Sequence, residues 1–398
     1  MTAAARKRAG TGSAIAGLSP PGVLFAVLGL AAIFAPFMTL AANRIVAGEG
    51  KALWTLAAPQ ITGPGIALML LGLALGLPAA RPYLRIAGAA LGLAGLVWLL
   101  VLGASSLLAE AGEYARVSPA AGFWFLLVVF ALMMADALSA LSPGPAARAG
   151  LLVLVLALVA ALLWSGALSN LSIAQEFASR KNAFYTASLR HLGLAFGSLL
   201  AAAVIGLPLG VLSHRNAGLR RALLPVLSFL QTIPSLAMFG IMIPVLSWLS
   251  GVIPGARAIG IAGIGFAPAF LALTLYSLLP VVANVLAGLR TAPAATLEAA
   301  RGMGMTWRQR LTRVELPLGL PVVLSGLRIV LVQNIGLAVI AGLIGGGGYG
   351  TFVFQGLNQT AGDLILLGAL PTVALALVSA IAMDVLVELT TPRTEREE

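Results

Sequence analysis

Apolar residues run along this chain in long blocks, separated by short polar or basic interruptions and without period-two alternation inside them. Ten blocks stand out: near 22–42, 63–79, 86–108, 122–141, 149–169, 191–212, 222–249, 266–289, 317–344 and 362–388. A helix rises ~1.5 Å per residue, so about twenty residues cross a ~30 Å hydrocarbon layer. The pattern predicts an all-α, polytopic helical membrane protein with about ten transmembrane spans, and it lacks the alternation of a membrane barrel. The seventh block carries Pro225, Pro234 and Pro244. It reads either as one kinked span or as a shorter span plus a half-helix.

Composition agrees with that reading. Of 398 residues, 60% are hydrophobic and 9% charged, with a mean hydropathy of +1.02. A soluble domain carries about a quarter charged residues. The absence of cysteine excludes disulfides and thiolate metal sites. His191 and His214 are the only histidines, and no metal-ligand spacing occurs. No acid–base constellation of a membrane enzyme is visible.

The net charge of +11 would suggest nucleic acid in a soluble protein. Here the arginines sit in short loops, where they report topology, and no nucleic-acid partner is expected. With the N-terminus placed inside, sixteen basic residues fall on the inner side, from the clusters at 6–8, 81–85, 148, 215–221, 290–313 and 393–396. Seven fall outside: Arg44, Lys51, Arg116, Arg180, Lys181, Arg190 and Arg257; Arg328 lies within a span. Inner loops collect Lys and Arg, which favours a multi-pass protein of the inner (plasma) membrane with both termini cytoplasmic. Arg6, Lys7 and Arg8 precede an apolar block longer than the 7–15 residues of a signal-peptide core, so block 22–42 reads as a retained first span.

These features predict an N-terminal five-span extension over 1–170, an amphipathic connecting segment over 171–190, a core over 191–390 and a tail over 391–398. The connecting segment reads as lying on the outer face, with a cytoplasmic placement open. The pairs Gly72/Gly76, Gly88/Gly92 and Gly206/Gly210 read as close helix packing.

The loop 292–316 is the longest polar interruption of the C-terminal half, and its residues are those of an ordered element. Pro293 suits a first helical turn. Gly302 and Gly304 can stop that helix, and Thr306 with Gln309 has the spacing of a capping box for a second one. Pro317 would then open the next span. Two short helices at an angle suit a docking element, and an ordinary basic interfacial loop fits about equally well on these grounds.

Glu298-Ala299-Ala300, three residues, Gly304, nine residues, then Val314-x-Leu316-Pro317 resembles the EAA loop of binding-protein-dependent ABC importer permeases, with Val314 where isoleucine is common. The likeness extends over about 185–390 and resembles the osmoprotectant branch. It includes His191-Leu192, Pro208-Leu209-Gly210, the run Gln231 to Ala237, Tyr276-Ser277-Leu278-Leu279-Pro280 and the run Gly345 to Gly350. Ala283-Asn284-Val285 stands where that branch often has Arg-Asn-Thr.

The resemblance implies a type I ABC importer permease core in the C-terminal half, serving glycine betaine or a related quaternary-ammonium osmoprotectant. Glu298, Ala299, Ala300, Gly304, Leu316 and Pro317 would couple it to an ATPase. It also implies as partners a cytoplasmic ABC ATPase subunit, a periplasmic or lipid-anchored substrate-binding protein, and a second permease copy or homologous permease, all in membrane lipid. The N-terminal spans resemble an extension found in a subset of such permeases.

No phosphate-binding loop is present: the chain has three lysines, Lys7, Lys51 and Lys181, none in a GxxxxGK[ST] setting. The chain is therefore expected to be a transport subunit rather than an enzyme. It would hold no cofactor itself, with ATP and Mg bound by the partner ATPase. Gln231, Thr232, Pro234, Tyr276 and Asn284 are pathway candidates, because a helix break at membrane depth needs protein or a water-filled cavity around it. Asp136, Arg328 and Asp384 are intramembrane charges, which are functional candidates by default, although structural pairing is at least as good an account of each. Alternatives left open are an ABC permease for another solute, such as an amino acid or alkyl sulfonate, an ion-coupled secondary transporter, and a membrane scaffold or receptor.

Overall fold

Helix starts in this chain repeatedly follow proline, whose fixed φ suits the first turn and whose missing N–H costs nothing there. The computed structural model describes residues 17–44, 46–258 and 260–391. It separates into two units: one runs to Pro143 and resumes over Val159–Gln175, the other takes Gly144–Leu158 and the chain from Glu176. Arg6, Lys7 and Arg8, and the expected tail beyond Thr391, lie outside the described residues.

In the first unit, α1 (Pro20–Ile33), α2 (Pro59–Leu75) and α3 (Pro82–Ala109) each have proline in their first turn. They pack with α4 (Ala121–Leu141) around Phe37, Met38, Leu99, Phe130 and Met133. Glycine sets the α2–α3 approach, since a Cβ on Gly72 would lie 2.5 Å from the Gly88 carbonyl oxygen. The helix α5 (Pro145–Trp164) buries no residue.

At the ends of these helices lies a three-stranded antiparallel sheet of order β2-β1-β3: β1 (Met38–Ala41), β2 (Glu49–Lys51) and β3 (Arg116–Pro119). Met38 faces Lys51 on one side and Pro119 on the other. The sheet corrects the expectation of one helical span over 22–42. That helix stops at Ile33, because Pro36 disfavours α geometry at Ala35, and Phe37 already accepts strand geometry by donating its N–H to the Lys51 carbonyl at 2.8 Å. α1 reaches only about 21 Å.

The second unit contains most of α5 and the second half of α6 (Ser172–Ser179), together with α7 (Lys181–Arg215), α8 (Ala217–Thr232), α9 (Ser235–Val252) and α10 (Phe266–Leu289). It continues through α11 (Ala294–Gly302), α12 (Trp307–Arg310), α13 (Leu316–Leu337), α14 (Gly350–Asn358) and α15 (Gly362–Thr390). The most enclosed long helix is α10, which packs between α7 and α13. Gly206 and Gly210 of α7 meet Val281 and Val285, and Gly288 crosses Gly319 of α13 with backbone against backbone. The Asn334 amide nitrogen lies 2.9 Å from the hydroxyls of Ser198 and Ser277, so one buried side chain ties α7, α10 and α13.

Eight described helices are long and apolar enough to cross a membrane, and α1 and α2 are shorter apolar helices. Each of the ten predicted blocks holds one of these ten helices. Three details go beyond the block pattern. The segment 171–190 is not a single surface element, because 181–190 contains no proline or glycine and simply extends α7 to 35 residues. The seventh block divides at Ile233-Pro234 into α8 and α9. The run 345–350 turns the chain through Gly345, Gly347 and Gly348 at positive φ and leads into a short helix, α14, that no apolar block marks.

The Gly288–Gly319 crossing leaves no room for a side chain. Gly319→Leu is expected to destabilise the detergent-solubilised chain by about 2 kcal/mol, read as a lower melting temperature. Gly240→Ala, whose added Cβ meets nothing within 4 Å, should leave melting unchanged or raised.

Candidate functional site

The elbow after α10 is built by local hydrogen bonding. Pro293, with φ −59° and ψ 141°, stands at the N-cap of α11. The helix ends in a Schellman turn: Gly304 N–H donates to the Arg301 carbonyl at 2.9 Å, and Met305 N–H to the Ala300 carbonyl at 3.1 Å. Gly304 has φ +74°, and a Cβ there would meet nothing within 4 Å, so the glycine is required by backbone conformation rather than by space. Thr306 then caps α12 as expected: its N–H donates to Gln309 Oε1 at 2.7 Å, and Gln309 N–H donates to Thr306 Oγ1 at 3.4 Å.

Pro317 stands in the first turn of the next span, α13, as expected, but the helix does not start afresh there. The turn α12 continues into α13 through a π turn over Leu311–Glu315, in which Leu316 N–H donates to the Leu311 carbonyl five residues back. Widening the helix by one residue makes room for the proline ring, which would otherwise clash one turn earlier. Leu316 and Pro317 are therefore the first two residues of α13.

The end of α7 holds this elbow. The Arg215 guanidinium lies 3.8 Å from the Trp307 ring centroid, and His214 Nε2 is 3.5 Å from a Glu315 carboxylate oxygen. Ala300 points inward, whereas Glu298, Ala299, Arg301 and Gly302 are exposed. Met303 is 71% and Trp307 41% exposed, so the outer face of the elbow combines apolar tips with arginines. The contacts of Arg215, His214 and Glu315 were not foreseen, because they join residues about a hundred positions apart.

The pathway candidates sort into two groups. Pro280 has no N–H to donate to the Tyr276 carbonyl one turn back, and Gln231 Nε2 supplies that donor at 2.8 Å. In return the Tyr276 hydroxyl donates to the carbonyl of Ile233, at the α8–α9 break before Pro234. Gln231, Pro234 and Tyr276 thus meet in one reciprocal brace. Thr232 is exposed and turns back to the Phe229 carbonyl at 2.7 Å. Asn284 donates to the Pro280 carbonyl at 2.7 Å and lies over Gly326 of α13, apart from the brace.

The three intramembrane charges are all paired. Asp136 meets Arg85, which is buried in the first turn of α3 rather than exposed in a loop, because the helix begins at Pro82. Asp384 pairs with Arg328 and, at 2.9 Å, with Arg148 of α5, which is also 3.3 Å from Glu388. Two arginines and two carboxylates leave this cluster neutral, as a low-dielectric setting requires. Arg85, Arg148 and Glu388 were missed as partners, since nothing in their local sequence reports a cross-helix contact.

Residues 193–396, half of the chain, match the family described as binding-protein-dependent transport system inner membrane component. The chain belongs to that family. Residues 19–174 match a second family, described as the N-terminal domain of the ABC transporter permease YehY. The chain is 42% identical over 199 residues to the osmoprotectant import permease protein OsmW of Salmonella typhimurium, covering 50% of this chain and 87% of the relative. It is 37% identical over 195 residues to the glycine betaine/carnitine/choline transport system permease protein OpuCD of Bacillus subtilis, covering 49% and 78%. Among solved structures it is similar to the MetNI methionine ABC transporter in inward-facing conformations, with a TM-score of 0.48, 25% identity, and coverage of 54% of this chain and 99% of that one; that likeness adds nothing to the assignment. The chain is thus a multi-pass inner-membrane permease subunit of an ABC importer, a transport component that works with a separate ATPase and a substrate-binding protein.

Two variants test the geometry. Thr306→Ala removes the cap at a cost of about 1 kcal/mol, so amide hydrogen exchange over 307–310 should quicken by about fivefold. Tyr276→Phe leaves the Ile233 carbonyl without its hydroxyl and is expected to lower stability by about 1–3 kcal/mol in thermal melts, with exchange at the elbow unchanged.

Proposed function

We propose that this permease imports glycine betaine or a related quaternary-ammonium osmoprotectant, and that residues 292–316 receive the mechanical work of the ATPase. The observation that carries the coupling role is the elbow itself. A Schellman turn and a capping box stiffen it, the end of α7 holds it, and it exposes Glu298, Ala299 and Met303 on one side. Its rigidity lets a push on α11 pass along the covalent chain to α10 and α13, which border it on either side.

The substrate class is supported by the osmoprotectant, choline and carnitine permeases to which the C-terminal half is similar. In this reading both termini face the cytoplasm, ATP and Mg bind on the ATPase, and two permease copies, or this chain and a homologous one, enclose the path about a two-fold axis. A periplasmic or lipid-anchored binding protein delivers the solute. Gln231, Tyr276 and Pro234 border the path as a braced break, with Thr232 and Asn284 near it. Pairing of Asp136 and Asp384 with arginines argues against their use as ion-coupling carboxylates.

The test is uptake of labelled glycine betaine into liposomes holding the permease with its ATPase and binding protein. ATP-dependent uptake is expected, and Gly304→Pro should abolish it while membrane insertion stays intact. Normal uptake by that variant would overturn the coupling role. Uptake of an amino acid in place of glycine betaine would overturn the substrate class, and uptake without the ATPase would overturn the mechanism.

A further inference from the structure

The N-terminal unit contains a cavity of about 540 Å³ beside the three-stranded sheet, lined among others by Asn43, Arg44, Glu113, Tyr114, Arg116 and Gln175. Its size lies within the ~300–1,000 Å³ of small-molecule sites. Arg116 opens β3, next to Val117, which is fully buried in the core. Alternation along the strand sends Arg116 to the opposite face. Its Nη1 is closed off from solvent and has no hydrogen-bond partner among the described residues. A guanidinium remains charged at any physiological pH, and a buried charged donor without an acceptor is costly. A carboxylate is the acceptor that matches its planar fork. Glu113 and Tyr114, the latter 73% exposed, line the same cavity and offer a carboxylate and an aromatic ring that suit a cationic group.

We propose that this cavity binds a small zwitterionic solute, with Arg116 taking its carboxylate and Glu113 and Tyr114 meeting its cationic end. The carboxylate half of the proposal stands on Arg116, and the quaternary-ammonium half rests on the substrate class proposed above. In the orientation argued from the basic residues the cavity opens on the outer side. The N-terminal unit then holds a solute site of its own, separate from the braced break in the permease core.

Saturation-transfer NMR on the purified full-length chain in lipid nanodiscs tests this, with glycine betaine, choline and acetate as probes. Saturable binding of glycine betaine is expected, with choline and acetate weaker. Arg116→Met should weaken glycine betaine and acetate by about tenfold and leave choline unchanged, while Arg116→Lys retains part of the affinity. Glu113→Lys, on the exposed rim, should weaken choline and glycine betaine but strengthen acetate, which keeps the test decisive if Arg116→Met fails to fold. Glycine betaine binding that both the Arg116 and Glu113 variants leave untouched, or no saturable binding of any probe, would overturn the site. Uptake by the wild-type importer, measured in parallel, separates the two proposals: uptake without binding here removes only this site, and Arg116-dependent acetate binding without glycine betaine uptake removes only the substrate class.

Discussion

Hydrocarbon offers no hydrogen bonds, so every carbonyl that a proline orphans inside this permease must find a donor in the protein. The brace between Gln231 and Tyr276 meets that demand twice over. Pro280 frees the Tyr276 carbonyl and Gln231 answers it; the break before Pro234 frees the Ile233 carbonyl and the Tyr276 hydroxyl answers that. The exchange fixes the α8–α9 break against α10, and α10 runs on into the elbow. The broken helix pair and the segment proposed to meet the ATPase therefore share one rigid helix.

The same demand governs charge. Each arginine described within the long helices near a carboxylate is matched to it: Arg85 to Asp136, and Arg328 and Arg148 to Asp384. Asn334 does for polar groups what these pairs do for ions, satisfying Ser198 and Ser277 at the meeting of three helices. Glycine crossings bring those helices close enough for such short side chains to reach. Close packing and polar satisfaction are thus two sides of one arrangement around α10.

What could be read from the sequence was what is local. The ten apolar helices follow from block length. The Schellman turn at Gly304 and the capping box at Thr306 follow from residues within six positions of each other. The sheet was hidden because its strands are three or four residues long and lie at the edges of apolar blocks. The start of α7 at Lys181 was hidden because polarity masked a helix that carries on beyond its apolar stretch. The brace, the Asn334 link and the partner of Asp136 join residues dozens of positions apart, and no periodicity encodes them. Pathway candidates chosen for their prolines lie on the helices that carry the brace, but only the fold distinguishes the bracing Tyr276 from Thr232, which merely bonds its own turn.

In the proposed coupling, the exposed tip of the elbow meets the ATPase at the inner face of the membrane. The chain has no cysteine, so Met303→Cys introduces a single addressable thiol at that tip. In sealed right-side-out vesicles carrying the assembled importer, that thiol should cross-link to the ATPase and resist an impermeant maleimide added from outside. Labelling from outside, with no cross-link to the ATPase, would contradict the account.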